Sequence, residues 1–223
     1  MSQPRWFTRS ADPPRLRYEW PHRLWHWGFA AALCTSLYTG LADDVGLMDL
    51  HIDSGVAVIA LLLFRFGWAL WGGTYVRLPQ YRTSLRRIRD YFKRAPTPDR
   101  AHTAPGAALA LAMWCVVAVQ AGVGLFSSDD IFTDGPFAHY LDAAGVDTAT
   151  AIHTRLFWVL IALIVVHLGA LGWYTVKRDP LTLSMLTGRA HDSLPPLASH
   201  LAARAFATAL GVAALIGAAT YWL

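Results

Sequence analysis

The stretch that most constrains the fold of this chain is residues 151–176, AIHTRLFWVLIALIVVHLGALGWYTV, an apolar run interrupted by His153 and His167. In an α-helix, the fourteen residues from one histidine to the next make nearly four turns, which puts both imidazoles on one face and about 21 Å apart. The hydrocarbon core of a bilayer is about 30 Å thick, and a polar ring within it is costly and usually functional. The pair therefore predicts two cofactors stacked across a membrane; the alternative is that each histidine only bonds a neighbouring helix.

The composition of the whole chain predicts an integral membrane protein. Of its 223 residues, 55% are hydrophobic and only 15% are charged, whereas a soluble domain carries about 25% charged residues. Ten tryptophans and eight tyrosines are typical of the aromatic belts at the two membrane interfaces. We therefore expect a single membrane domain over residues 1–223 whose outer surface contacts lipid.

Five apolar runs are each long enough to cross a bilayer. Because backbone groups in lipid must bond within their own segment, these runs are predicted to be helices. After a polar cytoplasmic lead at residues 1–22, the predicted transmembrane helices cover about 24–41, 50–72, 104–126, 151–176 and 201–222. The expected fold class is an all-α integral membrane protein, in which a four-helix bundle holds the cofactors and a fifth C-terminal transmembrane helix packs beside it.

The distribution of lysine and arginine predicts the orientation. The lead and the loops at 73–103 and 177–200 hold nearly all the basic residues, whereas the loops at 42–49 and 127–150 hold none. Because loops rich in Lys and Arg stay in the cytoplasm, we expect a cytoplasmic N-terminus and a periplasmic C-terminus in a bacterial inner membrane. The formal net charge of +4 then follows from topology, and we expect no nucleic-acid partner.

This orientation pairs four histidines by depth. His26, near the cytoplasmic start of the first helix, lies level with His167, while His51, near the outer start of the second helix, lies level with His153. Two imidazoles from two helices are a common ligand set for b-type haem. The sequence therefore predicts two haem b groups, with His26 and His167 as axial iron ligands on the cytoplasmic side and His51 and His153 on the periplasmic side.

Arg65 is the strongest of the remaining polar candidates. It follows His51 by fourteen residues and so lies one haem level deeper on the same helix face. A buried arginine needs a counter-charge, and a propionate of the inner haem is the predicted anion; snorkelling to the headgroups is the alternative. His22 is a weaker candidate for the inner site, because its flanks place it among the headgroups. The region around His26, His102 and Arg65 is the predicted site for an exchangeable quinone.

The fifth apolar run differs from the others because it carries no polar residue suited to a site. It has small residues spaced for close helix packing, namely Ala207, Gly211, Ala214 and Gly217. We expect this helix to be structural or to form a homo-oligomer or partner contact.

Three segments resemble the prokaryotic cytochrome b561 family, which includes the b-type cytochrome subunits of membrane-bound nickel-iron hydrogenases. They are HRLWHWGFA with His26, HIDSGVAVIALLLFRFGWALWG with His51 and Arg65, and the His153–His167 pair that ends in YTVKRDPLTLSMLTGR. The resemblance implies two b haems between the first, second and fourth helices, held by the same four histidines. It also implies electron transfer between a periplasmic redox partner and the quinone pool.

The functional hypothesis is a dihaem b-type cytochrome that transfers electrons between quinone and a periplasmic c-type cytochrome or oxidoreductase subunit. An electron-transfer subunit is favoured over an enzyme in its own right. A positively charged c-type cytochrome suits the acidic outer face, which collects Asp43, Asp44, Asp49, Asp53, Asp129, Asp130, Asp134, Asp142 and Asp147. The alternative is a stand-alone superoxide:quinone oxidoreductase. That activity needs a cationic site near the outer haem, where only Arg155 is available.

Overall fold

The computed structural model describes residues 18–42, 44–73, 76–82, 85–93, 103–177, 181–188 and 200–221. These residues form seven α-helices: α1 Trp20–Leu41, α2 Met48–Trp71, α3 Leu85–Lys93, α4 Ala104–Gly124, α5 Ala143–Val176, α6 Leu181–Thr187 and α7 Leu201–Tyr221. The extended pairing found within the described ranges is an isolated bridge between Ser128 and Asp134. The predicted all-helical architecture is confirmed.

Within the described ranges, four stretches are long and apolar enough to cross a membrane: Val45–Trp71, Ala104–Gly124, Ala143–Val176 and Leu201–Ala219. The chain is therefore a multi-pass membrane protein. The first predicted span, 24–41, forms helix α1 but is not among these four stretches. Its 22 residues are long enough to span, but polar residues such as His26, Thr35, Ser36 and Thr39 interrupt the apolar run within 24–41.

Side-chain caps fix where α4 and α5 begin. The Thr103 hydroxyl accepts a hydrogen bond from Gly106 N at 3.2 Å, and the Asp142 carboxylate accepts one from Gly145 N at 2.8 Å. Such caps satisfy backbone donors that the first helical turn leaves unpaired. Because Asp142 caps α5, this helix begins at Ala143 and runs for 34 residues. Its first residues therefore belong to the predicted outer loop at 127–150 and precede the apolar run at 151.

The helices pack as two hairpins, α1 with α2 and α4 with α5, and α2 joins the hairpins by packing against α4. Leu160 of α5 is 1% exposed and belongs to the core that also holds Trp25, Val58, Leu62, Trp114 and Val117. Seven residues make almost two helical turns, so Leu160 shares one face of α5 with His153 and His167. The histidine face of α5 therefore turns into the bundle.

Helix α7 packs on the C-terminal half of α2. Trp71 Nε1 donates a hydrogen bond to Thr208 Oγ1 at 2.9 Å, and Arg204 donates one to the Trp71 carbonyl at 3.1 Å. The small residue at this contact is Gly67 of α2, where a Cβ atom would lie 2.9 Å from the Thr208 methyl. The small residues expected to pack, Ala207, Gly211, Ala214 and Gly217, are exposed on α7.

Replacing Gly67 with alanine is expected to destabilise the α2–α7 contact by about 1–3 kcal/mol, as overpacking usually does. The matched control is Gly211→Ala, because no atom lies within 4 Å of a Cβ at Gly211. Alanine is the better helix former by about 1 kcal/mol, so this control should be neutral or stabilising. Thermal unfolding of both variants in detergent measures the difference, and equal melting temperatures would contradict the close approach of α7 to Gly67.

Candidate functional site

The rings of His51 on α2 and His153 on α5, the outer pair, approach each other between the two hairpins. Their centroids lie 6.1 Å apart and their planes are perpendicular. A metal ion shared by one nitrogen of each ring, at a usual metal–imidazole distance of about 2.0 Å, would require the two centroids to lie about 6 Å apart. The described residues contain no group of three or more His, Cys, Asp or Glu that could hold a metal ion. Two facing imidazoles from two different helices are a common ligand set for b-type haem.

Hydrogen bonds fix the tautomer of both outer imidazoles. The Nδ1 atom of His51 lies 3.0 Å from the Ser36 carbonyl oxygen and 3.2 Å from the Thr39 hydroxyl. The Nδ1 atom of His153 lies 2.9 Å from the Gln120 carbonyl oxygen. An imidazole that donates its Nδ1–H to a backbone carbonyl leaves the Nε2 lone pair available to a metal. Both rings are thus prepared as metal ligands, and their role as haem ligands stays a prediction.

Each outer imidazole lies against a glycine of the neighbouring helix. A Cβ atom at Gly40 would lie 2.9 Å from His51 Cε1, and one at Gly124 would lie 2.9 Å from His153 Cε1. Each glycine comes four residues after the carbonyl that accepts the imidazole bond, so its own N–H bonds that same carbonyl. The missing side chain lets the ring reach the carbonyl. This arrangement occurs twice, once in each hairpin, and sequence reasoning missed it.

A cavity of about 610 Å³ surrounds the outer pair. This volume is typical of pockets for small molecules and cofactors, which measure about 300–1,000 Å³. Helices α1, α2, α4 and α5 supply a mostly apolar lining that includes Phe157, Trp158 and Leu160. The loop after α4 closes one end with Asp129 and Thr133. An apolar cavity of this size between two imidazoles fits a haem.

His26 on α1 and His167 on α5 form the inner pair. Their imidazoles are near enough to interact electrostatically. The His26 ring packs edge-on against Trp25 and Trp27, and its Nδ1 atom is buried without a protein hydrogen-bond partner. The structure thus brings together the two histidines that were paired by depth, and the ligand role of this pair also stays a prediction.

Arg65 lies in a cage of aromatic rings. Its Cζ atom is 4.4 Å from the ring centroid of Trp114, 5.2 Å from that of Tyr81 and 5.5 Å from that of Trp25. Its Nη2 atom donates to the Val76 carbonyl at 2.9 Å and to the Tyr81 hydroxyl at 2.6 Å. The residue is 0% exposed, so it does not snorkel to the surface. Its Nε and Nη1 atoms are buried without a protein partner, and the propionate contact stays a prediction.

Glu19 is a buried acid that sequence reasoning missed, because it lies in the polar lead. It is 2% exposed, and its Oε1 atom accepts hydrogen bonds from Trp68 Nε1 at 2.9 Å and from Gly73 N at 3.2 Å. Glu19 and Arg65 both act electrostatically on Tyr81. Burial raises the pKa of the Tyr81 hydroxyl, while the Arg65 guanidinium lowers it and offsets part of that effect.

Other candidates lie elsewhere than expected. His22 is buried, with its ring centroid 5.3 Å from that of Tyr18 and 5.4 Å from that of Trp25, rather than exposed among headgroups. The reason is that α1 begins at Trp20 and turns this ring toward the bundle. Arg155 is exposed. His102, part of the predicted quinone site, lies outside the described residues.

The variant Gly124→Ala is expected to displace the His153 ring, because the new methyl group would lie 2.9 Å from its Cε1 atom. Weakening the hydrogen bond behind a metal-ligating histidine typically costs about 10- to 100-fold in metal affinity, and we expect a loss of that size in haem affinity at the outer pair. The control is Gly122→Ala, where a Cβ meets no atom within 4 Å. Haem titration of the two apoproteins measures the effect, and equal affinities would contradict it.

A comparison with known protein families finds a match that covers most of the chain. A family model described as prokaryotic cytochrome b561 matches residues 17–188, more than three quarters of the chain. The matched region includes all four paired histidines and Arg65 and ends before α7. The comparison with curated proteins finds no match.

Proposed function

The chain belongs to the prokaryotic cytochrome b561 family, and we propose that it is a dihaem cytochrome that carries electrons between a periplasmic redox partner and the quinone pool. Family membership makes it a b-type membrane cytochrome of electron transfer. The observation that carries the finer proposal is the outer pair, whose ring centroids lie 6.1 Å apart. Two imidazoles at this distance suit bis-histidine haem ligation, because each is already hydrogen-bonded through Nδ1 and keeps its Nε2 atom for the metal.

In this proposal, His51 and His153 hold the outer haem, and His26 and His167 hold the inner haem. A haem held by each pair would supply reversible one-electron chemistry, and the same two histidines would hold it in both oxidation states. The protein contributes fixed ligands: the Ser36 and Gln120 carbonyls bond the outer imidazoles, so neither ring needs to turn when the charge on the metal changes.

In this proposal, helix α5 provides the axis along which electrons move between the two haem levels. It is continuous from Ala143 to Val176, so its two histidines lie about 21 Å apart along one axis. Leu160 lies midway between them and is buried in the apolar core. Electrons therefore cross the bilayer rather than move along its surface.

The proposed topology requires helix α1 to be a fifth transmembrane helix. Helix α1 packs along α2, which lies within a candidate span, and its 22 residues reach about 33 Å at 1.5 Å per residue. The charge asymmetry of the loops then supports a cytoplasmic N-terminus and a periplasmic C-terminus in the bacterial inner membrane.

Quinone would exchange at the inner level, where His26 and Arg65 present unpaired buried nitrogen atoms.

The charge around the outer haem position favours a cationic partner. The described residues that line the cavity include Asp129 and contain no lysine or arginine. A superoxide:quinone oxidoreductase would need a cationic site there, and Arg155 is not among the lining residues. A basic c-type cytochrome is attracted by the acidic outer loops, and we propose it as the partner.

Haem stoichiometry tests the two ligand pairs. The purified protein is expected to hold two b haems per chain, and His51→Ala and His167→Ala are each expected to keep one, because each variant removes one ligand from a different pair. The control is His139→Ala, an exposed loop histidine, which should keep both. A pyridine haemochrome assay gives the counts, and one haem or none in the unmodified protein would contradict the proposal.

Ionic strength tests the charge of the partner. The second-order rate constant for electron exchange with a basic c-type cytochrome is expected to fall at least about tenfold as salt rises from about 0.01 M to 0.15 M, since the screening length drops from about 30 to 8 Å. Stopped-flow absorbance of the haem bands measures this rate. An acidic c-type cytochrome serves as the comparison and should not slow with salt. A salt-independent rate for the basic cytochrome would contradict electrostatic steering.

A further inference from the structure

The loop between α4 and α5 carries a short ordered tip, residues 127–135. One carboxylate oxygen of Asp129 accepts hydrogen bonds from three successive backbone amides, those of Ile131 at 3.0 Å, Phe132 at 2.8 Å and Thr133 at 2.8 Å. These donors hold the pKa of the Asp129 carboxyl below its usual value. The carboxylate is therefore charged at every physiological pH, and the turn that it organises is stable there.

The base of the tip is tied to both neighbouring helices. Ser128 N donates to Thr150 Oγ1 of α5 at 3.0 Å, and Ser127 Oγ donates to the Val123 carbonyl of α4 at 3.0 Å. A Cβ atom at Gly135 would lie 2.6 Å from the Leu125 carbonyl oxygen, so only glycine fits there. The tip is thus a preorganised element rather than a loose connection.

This ordered tip exposes two large apolar side chains. Ile131 is 76% exposed and Phe132 is 73% exposed, although most large apolar side chains in an ordered turn gain from burial. Asp129 and Asp130 precede the pair, and Asp134 follows it. Charged carboxylates are costly in lipid, which argues against insertion of the tip into the bilayer.

Other residues of the same tip line the cavity of the outer pair. Ser128, Asp129, Thr133 and Gly135 line that cavity together with His51 and His153. A molecule seated on Ile131 and Phe132 would therefore lie above the proposed outer haem, at the outer end of the bundle.

We propose that Ile131 and Phe132 are the docking contact for a small soluble redox protein whose cofactor edge is apolar and is surrounded by lysines. This inference rests on the proposed function of the outer haem. The surrounding aspartates attract the basic partner over long range, and the two apolar side chains make the water-excluding contact at the centre of the interface. In the complex, one electron leaves the reduced cofactor and enters the oxidised one; no bond forms and no proton moves.

The test uses the haem-loaded protein in nanodiscs of uncharged lipid and a basic c-type cytochrome as the probe. The double variant Ile131→Ser/Phe132→Ser keeps every aspartate and all the backbone hydrogen bonds of the tip. Its second-order rate constant should fall about tenfold, as expected for loss of a central apolar contact, while the salt dependence persists. The matched control is Val45→Ser/Leu141→Ser, which removes two exposed apolar side chains from elsewhere in the outer links and should change the rate less than about twofold. Unchanged Soret spectra would show that both variants keep their haems.

The outcomes separate the docking contact from the partner itself. An unchanged rate in the tip variant, with salt dependence intact, would overturn the docking contact and leave the proposed partner standing. A salt-independent rate in the unmodified protein would instead overturn the proposed partner. The variant Phe132→Trp distinguishes lipid from protein: its fluorescence should shift to the blue only when the cytochrome is added. A blue-shifted emission in nanodiscs alone would place the tip in lipid and would also overturn the proposal.

Discussion

The hydrogen bond from an imidazole to a helix carbonyl is the interaction on which the outer half of the molecule depends. Ser36 and Gln120 each already bond the N–H of a glycine four residues on, and each also accepts a bond from a histidine of the neighbouring helix. That second bond requires the two helices to touch, because only a glycine leaves room for the ring. Within each hairpin, the close approach of the two helices and the orientation of the imidazole therefore depend on the same contact.

At the opposite end of the bundle, two buried charged side chains hold neighbouring segments together through hydrogen bonds. The guanidinium of Arg65 bonds the Val76 carbonyl and the Tyr81 hydroxyl, and the carboxylate of Glu19 bonds Trp68 and the Gly73 amide. Buried charges are tolerated when such hydrogen bonds replace those lost from water. These contacts draw parts of the lead and of the link after α2 into the bundle, so these segments contribute to its interior.

The sequence predicts a residue's role where that role depends only on its position along its own helix. It does not predict roles that depend on which helix lies opposite. The shared face of His153 and His167 follows from helical period alone, as does the position of Arg65 one level below His51. The roles of Gly40 and Gly124 depend on which helix lies opposite, and glycine is frequent in membrane helices, so no pattern marked them. The partners of Arg65 come from the link after α2, whose many basic residues indicated only orientation. The capping residue Asp142 does mark the early start of α5 in the sequence. It was not recognised as a cap because it is one of several aspartates in the same acidic loop.

The length of α5 has an energetic consequence. A charge that passes from the level of His153 to the level of His167 moves about 21 Å through a hydrocarbon layer of about 30 Å. It therefore experiences roughly two-thirds of any voltage across the membrane, and 100 mV is worth about 2.3 kcal/mol for a full crossing. The resulting bias of about 1.5 kcal/mol is close to a factor of ten in an equilibrium constant. In the proposed dihaem arrangement, energising the membrane would thus redistribute electrons between the two levels with no change in either site.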